Sequence, residues 1–278
     1  MSVGIVTDST AYLPKPLVAE LAIEVVPLQV ISAGEAFDEI DGITVEKVAT
    51  LLRAGKSVTT SRPNPDLFVE TFEKLRNKGA ESIVSVHLSS ELSGTYEAAV
   101  LASRRVDFPV DVVDSRGIAM MMGFAVIAGA RLAKAGGTHA EVVSLIDRKC
   151  AGASIIFYVD SLEFLERGGR INAMQARMGK AMDLKPLLHM INGKVEQREL
   201  VRSSEKALAR MVDLVSAAAR IKSEIAVHHV EAQDAAQEIA NQLKSRTGVT
   251  DIEVKPAGAV VGTHVGPGSL AVVVSPQV

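Results

Sequence analysis

Residues 89–95, with the sequence SSELSGT, are the stretch of this chain best suited to bind an anion. The residues before them, 81–88, are rich in β-branched side chains and predict a short buried strand, and a run of good helix formers follows. A chain that passes from a strand through Ser and Gly into a helix leaves backbone N–H groups free at the turn. These donors, the helix dipole and the side-chain hydroxyls suit a carboxylate or a phosphate. The alternative is that Ser93 only caps the helix and Gly94 only eases the turn.

A second group of hydroxyls lies in residues 59–65, which read TTSRPNP. Asn64 followed by Pro65 is a strong signal for the start of a helix. Because Asn64 can do the capping, the hydroxyls of Thr60 and Ser61 are not needed as caps. These two side chains are therefore candidates for ligand binding as well as for ordinary turn positions.

His264 is the histidine best placed for function. It lies in residues 262–268 (GTHVGPG), which predict a glycine-rich loop after a strand at 259–261. A histidine held in such a loop is a better functional candidate than one on an apolar face. His228 and His229 are adjacent on a predicted strand and point to opposite faces, so structural roles are favoured for both.

The composition argues against several classes of function. The chain has 278 residues, a net charge of −3 and no Trp, so it offers neither a basic face nor stacking platforms for nucleic acid. The single Cys150 rules out an internal disulfide, offers no metal cluster and is expected to be a buried structural thiol.

The chain also lacks the features of an exported or membrane protein. No basic and apolar leader precedes the first predicted strand, which argues against a secretory signal. The most apolar run, residues 117–130, is too short to span a bilayer and predicts a core helix. We therefore expect a cytoplasmic protein without stable membrane insertion.

The first half of the chain alternates apolar strands with helical segments. Residues 3–6 and 110–113 are apolar strands that end in polar residues, as the strand at 81–88 does. Such alternation predicts a mainly parallel sheet flanked by helices, with ligands bound outside the carboxyl ends of the strands. The polar residues 8–10 and 114–115, together with the hydroxyl groups described above, are expected at that edge.

From about residue 154 the pattern changes. Asn192 and Gly193 are flanked by apolar segments and predict a β-hairpin, so this half contains antiparallel pairing. We predict two α/β domains, residues 1–153 with the hydroxyl-rich loops and residues 154–278. Arg170 follows two glycines and can pair with an anion or with a surface carboxylate. Met174, Met178 and Met182 share one helical face, where they either fill a core or adapt to an apolar ligand.

Together these motifs resemble the DegV family, bacterial fatty-acid-binding proteins that serve as acyl-carrying subunits of fatty acid kinase. The matching stretches run nearly end to end: residues 5–10, 60–63, 89–95, 113–115, 168–171, 185–186, 192–193 and 262–268. The resemblance implies a fatty acid lying between the two domains, with the C-terminal domain covering the acyl chain. It also implies a set of carboxylate-binding residues: Thr60, Ser61, Ser93, Gly94 and His264, supported by Arg170, Ser90 and Thr95.

The resemblance further implies how the protein works. A separate kinase would transfer the phosphoryl group of ATP to the bound carboxylate of palmitate, stearate or oleate, giving an acyl phosphate. The protein itself would be a lipid-binding subunit and not an enzyme, with no ATP site, no cofactor and no metal. Arg62 and Asn64 stand where the family more often has Gln and Ser, and Asn172 stands where Ser is common. Of these departures, Arg62 is next to the implied carboxylate site and bears on ligand choice or partner docking.

Two other functions stay open at this point. One is a phosphotransferase or nucleotide-dependent enzyme that uses the same strand ends. Against it, the sequence has no Gly-x-Gly-x-x-Gly after the first strand and no Walker-type lysine loop. The other is a regulatory domain that binds no lipid.

Overall fold

A computed structural model describes residues 2–171, 184–220 and 222–277. Asn172 and the proposed methionine face of Met174, Met178 and Met182 lie outside the described residues. The described residues form two compact units. The first contains Met1–Gln29 and Ser61–Gly152, and the second contains Val30–Thr60 and Ala153–Gln277.

The strands of the described residues are, in chain order, β1 (Val3–Asp8), β2 (Glu24–Val26), β3 (Gln29–Ser32), β4 (Glu35–Asp38), β5 (Val58–Ser61), β6 (Ser82–His87), β7 (Val110–Asp114), β8 (Ser154–Tyr158), β9 (Lys185–Ile191), β10 (Lys194–Val201), β11 (Ser223–His229), β12 (Ile252–Pro256) and β13 (Leu270–Pro276). The α-helices are α1 (Lys15–Glu20), α2 (Val45–Arg53), α3 (Pro65–Asn77), α4 (Thr95–Ser103), α5 (Met120–Lys134), α6 (His139–Gly152), α7 (Glu163–Arg167), α8 (Ser204–Ala218), α9 (Gln233–Thr247) and α10 (Ala259–Val265).

The first unit is built on a parallel four-stranded sheet with the strand order β2-β1-β6-β7. Successive residues of a strand face opposite sides of the sheet, and the neighbours of β1 show that helices cover both sides. Val6 packs in the apolar cluster that contains Phe68 and Phe72 of α3, whereas the hydroxyl of Thr7 lies 4.0 Å from the sulfur of Met122 in α5. This is the parallel sheet flanked by helices that the alternating pattern predicts. The apolar run forms the buried helix α5, also as predicted.

The second unit contains a six-stranded sheet with the order β10-β9-β8-β13-β11-β12. Its neighbours are antiparallel except β11 and β12, which are parallel. The turn between β9 and β10 has positive φ at both Asn192 (50°) and Gly193 (83°). Two such residues in sequence suit the right-handed twist of a hairpin. The predicted Asn-Gly hairpin is therefore confirmed.

Residues 30–60 are grouped with the second unit, which differs from the predicted division at residue 153. They contain α2 and strands of a three-stranded sheet with the order β4-β3-β5. α2 packs on α10, where a Cβ on Gly262 would lie 2.6 Å from a methyl carbon of Val45. In addition, the backbone N–H of Val260 donates to the carboxylate of Glu39 at 2.9 Å. These contacts between distant segments explain why residues 30–60 belong to this unit.

α10 also corrects two predictions. Residues 259–261 form the start of a helix and not a strand, and His264 lies in the last turn of that helix and not in a loop. The buried Glu39 carboxylate accepts a hydrogen bond from an N-terminal N–H group of α10 and complements the helix dipole. The hydroxyl of Thr263 donates to the carbonyl of Ala259 within the helix. The tertiary partner therefore overrides the β propensity of the valines.

Candidate functional site

The carboxyl ends of β1 and β6 meet at a buried carboxylate in the first unit. Oδ1 of Asp8 accepts from the backbone N–H of Thr10 at 3.0 Å and from its hydroxyl at 2.5 Å. Oδ2 accepts from Nδ1 of His87 and from the N–H of Leu88, both at 3.0 Å. The strand-end residues 8–10 are thus at the edge where the sequence places them, and the side chains of Asp8 and Thr10 are hydrogen-bonded to each other.

The turn at residues 89–95 follows directly from this anchor. The carbonyl of Ser89 accepts from the N–H groups of Leu92 at 3.0 Å and Ser93 at 3.1 Å. The hydroxyl of Ser90 donates to Asp114 at the end of β7, at 2.6 Å. Ser90 therefore ties the turn to the neighbouring strand end.

Ser93 does not cap α4. Gly94 occupies the N-cap position without a side-chain bond, and the hydroxyls of Ser93 and Thr95 lie 2.9 Å apart. The first backbone hydrogen bond of the helix is donated by the N–H of Ala98 to the carbonyl of Gly94. The N–H groups of the first turn therefore come before the first hydrogen bond within the helix. The first unit therefore presents two paired hydroxyls beside a helix N-terminus.

Arg62 lies against the same N-terminus. Its Nη1 donates to the carbonyl of Gly94 at 3.3 Å, and a Cβ on Gly94 would lie 2.7 Å from that atom. Glycine therefore leaves room for the guanidinium, whereas a Cβ at this position would make the flexible side chain of Arg62 shift. The hydroxyl of Ser61, the neighbour of Arg62, donates to Oε1 of Gln29 at 3.4 Å.

In the second unit, Thr60 and His264 form a pair. Oγ1 of Thr60 lies 2.9 Å from Nε2 of His264, and both residues are half-buried. Among the described residues, the buried Nδ1 of His264 has no hydrogen-bond partner. Burial, and secondarily the charge of Arg170, lowers the pKa of His264 to about 4. The imidazole is therefore uncharged at neutral pH.

Gly168 and Arg170 surround this histidine. A Cβ on Gly168 would overlap Nδ1 of His264, so only glycine leaves room for the ring. A guanidinium nitrogen of Arg170 donates to the carbonyl of Gly168, and burial lowers the pKa of Arg170. Gly168 and Arg170 of the glycine–glycine–arginine motif thus lie beside the imidazole of His264.

One arrangement is not foreseen from the sequence. The hydroxyl of Ser85 lies 2.7 Å from Nε2 of His87, whose Nδ1 bonds to Asp8, and all three residues are fully buried. Serine hydrolases use the same order of groups, but with an accessible serine. A fully buried Ser85 cannot meet a substrate, so this triad is not a nucleophilic centre. The available signal is the i, i+2 spacing of Ser85 and His87, which places both on one face of β6.

Other kinds of site have less support in the described part of the chain. It contains no group of three or more His, Cys, Asp or Glu placed to hold a metal ion. None of its helices is long and apolar enough to cross a membrane. An open cavity of about 610 Å³ in the second unit is lined by residues of the 32–51 segment, including Phe37, Ile40 and Lys47, and by none of the predicted site residues.

The motifs and the fold are matched by known proteins. The sequence matches the family model described as uncharacterised protein, DegV family, over residues 2–277. The chain belongs to the DegV family. A DegV domain-containing protein of Streptomyces coelicolor is 47% identical over 275 residues, which cover 98% of each chain. DegV of Bacillus subtilis is 32% identical over 278 residues, again 98% of each chain.

Solved DegV structures share the whole fold. A fatty-acid-binding DegV family protein from Thermus thermophilus superposes with a TM-score of 0.94 at 31% identity, covering 100% of both chains. DegV from Bacillus subtilis, a fatty acid binding protein, gives a TM-score of 0.90 at 30% identity over 100% of both chains. The predicted family and the two-domain α/β class are therefore confirmed.

Proposed function

We propose that this DegV protein binds a long-chain fatty acid and presents its carboxylate to a separate kinase, which phosphorylates it to an acyl phosphate. The observation that carries the proposal is the likeness, over the full chain, to DegV structures that bind fatty acids. The motifs that carry the resemblance contain the hydroxyl groups and the histidine described above.

The proposed ligands of the carboxylate are Thr60, Ser61, Ser93, Gly94 and His264. The hydroxyls of Ser93 and Thr95 pair with each other, so either can turn its O–H toward an incoming oxygen. The N–H groups of the first turn of α4 add donors and a favourable dipole. A carboxylate taken out of water needs such compensation, because it would otherwise be protonated.

The pair of Thr60 and His264 contributes neutral hydrogen-bonding groups to the site and no counter-charge of its own. Because the pKa of His264 is about 4, the imidazole is neutral at pH 7 and contributes through hydrogen bonding. Neutral donors stabilise a carboxylate less than a bound cation does, and they leave its oxygen more nucleophilic toward phosphorus. This is the property that a substrate for phosphoryl transfer needs.

The acyl chain supplies the larger part of the binding free energy. Burial of each CH₂ group contributes roughly 0.8 kcal/mol, so a chain of about sixteen carbons has ample gross affinity. Palmitate, stearate and oleate are therefore suitable ligands. The polar residues then determine which end of the lipid they bind and give selectivity for a carboxylic acid as the head group.

The proposed partner kinase would supply the ATP site, for which this sequence has no recognisable motif. The sequence has neither a glycine-rich dinucleotide motif after β1 nor a Walker-type lysine loop. We expect the purified protein to produce no acyl phosphate from ATP and palmitate until a fatty acid kinase catalytic subunit is added. ATP turnover by the protein alone would favour a nucleotide-dependent enzyme instead.

Mass spectrometry of the intact protein under native conditions tests the binding step. The purified protein is expected to carry an added mass equal to a long-chain fatty acid, or to take up palmitate after the lipid is extracted. Tetradecane and hexadecanol serve as apolar controls without a carboxylate. Purified protein that carries no bound lipid and does not bind added palmitate would refute the proposal.

A further inference from the structure

The carboxylate of Asp8 is buried, and its hydrogen bonds hold together two segments of the first unit, the ends of β1 and β6. It accepts two bonds from Thr10, one from His87 and one from the N–H of Leu88, at 2.5 to 3.0 Å. Asp8, Thr10 and His87 each have 0% of their surface exposed. Hydrogen bonds to a charged acceptor in such surroundings are stronger than those between neutral groups.

His87 is fixed from three sides. If Nδ1 donates to Asp8, then Nε2 is the acceptor for the hydroxyl of Ser85 at 2.7 Å, which sets the tautomer by the hydrogen-bond pattern. The ring also meets the ring of Phe68 edge-on, with centroids 5.0 Å apart. The imidazole therefore cannot rotate without breaking two buried hydrogen bonds.

The segment that Asp8 holds leads to Ser93. Leu88 donates to Asp8, and the next residue, Ser89, donates its N–H to the carbonyl of Gly117 at 2.9 Å. The carbonyl of Ser89 then accepts from Leu92 and Ser93. Ser93 is five residues after Leu88, and these backbone hydrogen bonds of the tight turn fix where its main chain lies. Its position relative to β1 thus depends on the bond between Leu88 and Asp8.

We infer that Asp8 and His87 are positioning residues of the carboxylate site: their buried hydrogen bonds set the place of the turn that carries Ser93. The inference rests on the proposed function. It gives the triad of Ser85, His87 and Asp8 a positioning role, whereas the burial of Ser85 excludes a role as a nucleophile. The competing explanation is that the triad only stabilises the fold.

A comparison of two ligands separates these explanations. Affinities for palmitate and for hexadecanol, which has the same chain and no carboxylate, are measured by equilibrium binding with radiolabelled lipid. Asp8→Asn keeps the shape of the side chain but replaces Oδ2 by an NH₂ group, so the N–H of Leu88 and Nδ1 of His87 both lose their acceptor. This variant should weaken palmitate binding about tenfold and leave hexadecanol binding within about twofold.

Matched variants complete the experiment. His87→Phe keeps the volume and the contact with Phe68 but removes both hydrogen bonds, and it should behave like Asp8→Asn. His87→Asn restores an N–H donor near the position of Nδ1 and should recover part of the loss. Thr7→Val is the control, because the buried hydroxyl of Thr7 donates to the carbonyl of Val86 at 2.9 Å and not to the turn. It should lower the thermal midpoint and leave the ratio of the two affinities unchanged.

The outcomes are distinct. If Asp8→Asn does not fold, Ser85→Ala removes a single hydroxyl and should still lower the palmitate-to-hexadecanol ratio about threefold. Folded variants that all keep the wild-type ratio, or lose both affinities equally, would overturn the inference in favour of a purely structural role. Wild-type protein that binds neither lipid would instead refute the proposed function.

Discussion

Nε2 of His264 lies 2.9 Å from Oγ1 of Thr60, although 204 positions separate the two residues in the chain. Both belong to the second unit, because residues 30–60 pack with residues 153–277. The pair joins two residues that the motifs single out separately. The hydroxyl of Thr60 contacts the uncharged imidazole of His264, and the buried Nδ1 of that ring has no hydrogen-bond partner among the described residues. The pair is therefore suited to hydrogen bonding with an acid.

Ser93 and Ser90 are matched positions for testing the anchor. Ser93→Ala removes the hydroxyl paired with Thr95 and should weaken fatty acid binding about tenfold, as expected for a lost bond to a charged group. Ser90→Ala should weaken it far less, because that hydroxyl already donates to Asp114 at 2.6 Å. Dissociation constants for palmitate measure both effects. Equal losses would contradict the choice of Ser93.

Gly168→Ala tests the close packing around His264. Gly168 has an ordinary φ of −74°, so alanine fits the backbone, and the imidazole of His264 is the main obstacle to the added Cβ. We expect a loss of about 1–2 kcal/mol in the free energy of unfolding, measured by urea denaturation. In a His264→Ala background the same substitution should have almost no effect, because the clashing ring is gone. A full loss in both backgrounds would mean that the clash lies elsewhere.

Stability should fall as the pH drops from about 6.5 toward 4. Burial lowers the pKa of His264 to about 4 and that of His228 to about 3, whereas histidines of the unfolded chain titrate near 6.5. Between these values the unfolded chain binds more protons than the folded one, so protonation favours unfolding. The contribution of neutral His264 is complete above about pH 6.5 and is lost on acidification through its folded pKa.

Urea denaturation at a series of pH values between 5 and 7.5 measures this dependence. Over that range we expect His264 alone to account for about 1–2 kcal/mol of the decline. His264→Gln should therefore show a flatter dependence than the wild type. A variant with the same slope as the wild type would mean that His264 titrates normally in the folded protein.

Cys150 should be unreactive in the native protein. Burial, together with the charges of Asp147 and Asp114, raises the pKa of its thiol to about 12. Because the thiolate is the reactive form, Ellman's reagent at pH 8 should label native protein slowly and denatured protein at once. Rapid labelling of the folded chain would show that the thiol is accessible and ionised.

Local signals in the sequence correctly predict the features whose causes are local. Asn64 accepts a hydrogen bond from the N–H of Asp66 at 3.0 Å and so caps α3, as its place before Pro65 indicates. Asn192 and Gly193 make the predicted hairpin turn because both residues tolerate positive φ. In each case the interacting groups are within a few residues, so their spacing in the chain specifies the geometry.

Features that depend on partners far away in the chain are predicted wrongly or not at all. The start of α10 is read as a strand because its valines favour β structure, while the Glu39 carboxylate that stabilises the helix is 221 positions away. The same contact accounts for the grouping of residues 30–60. The bond of His87 to Asp8 joins the ends of two parallel strands 79 positions apart, and only the topology of the sheet brings them together.

The sequence by itself determined the family, the alternation of strands and helices in the first half, and which residue types stand at the strand ends. These depend on local propensity and on motifs that can be read in order. Only the tertiary structure decided that His264 lies in a helix against Thr60, that Ser93 pairs with Thr95 instead of capping α4, and that Asp8 holds the turn leading to Ser93. Each of these depends on where hydrogen-bonding groups find partners once the chain is packed, and buried polar groups must find such partners wherever the fold supplies them.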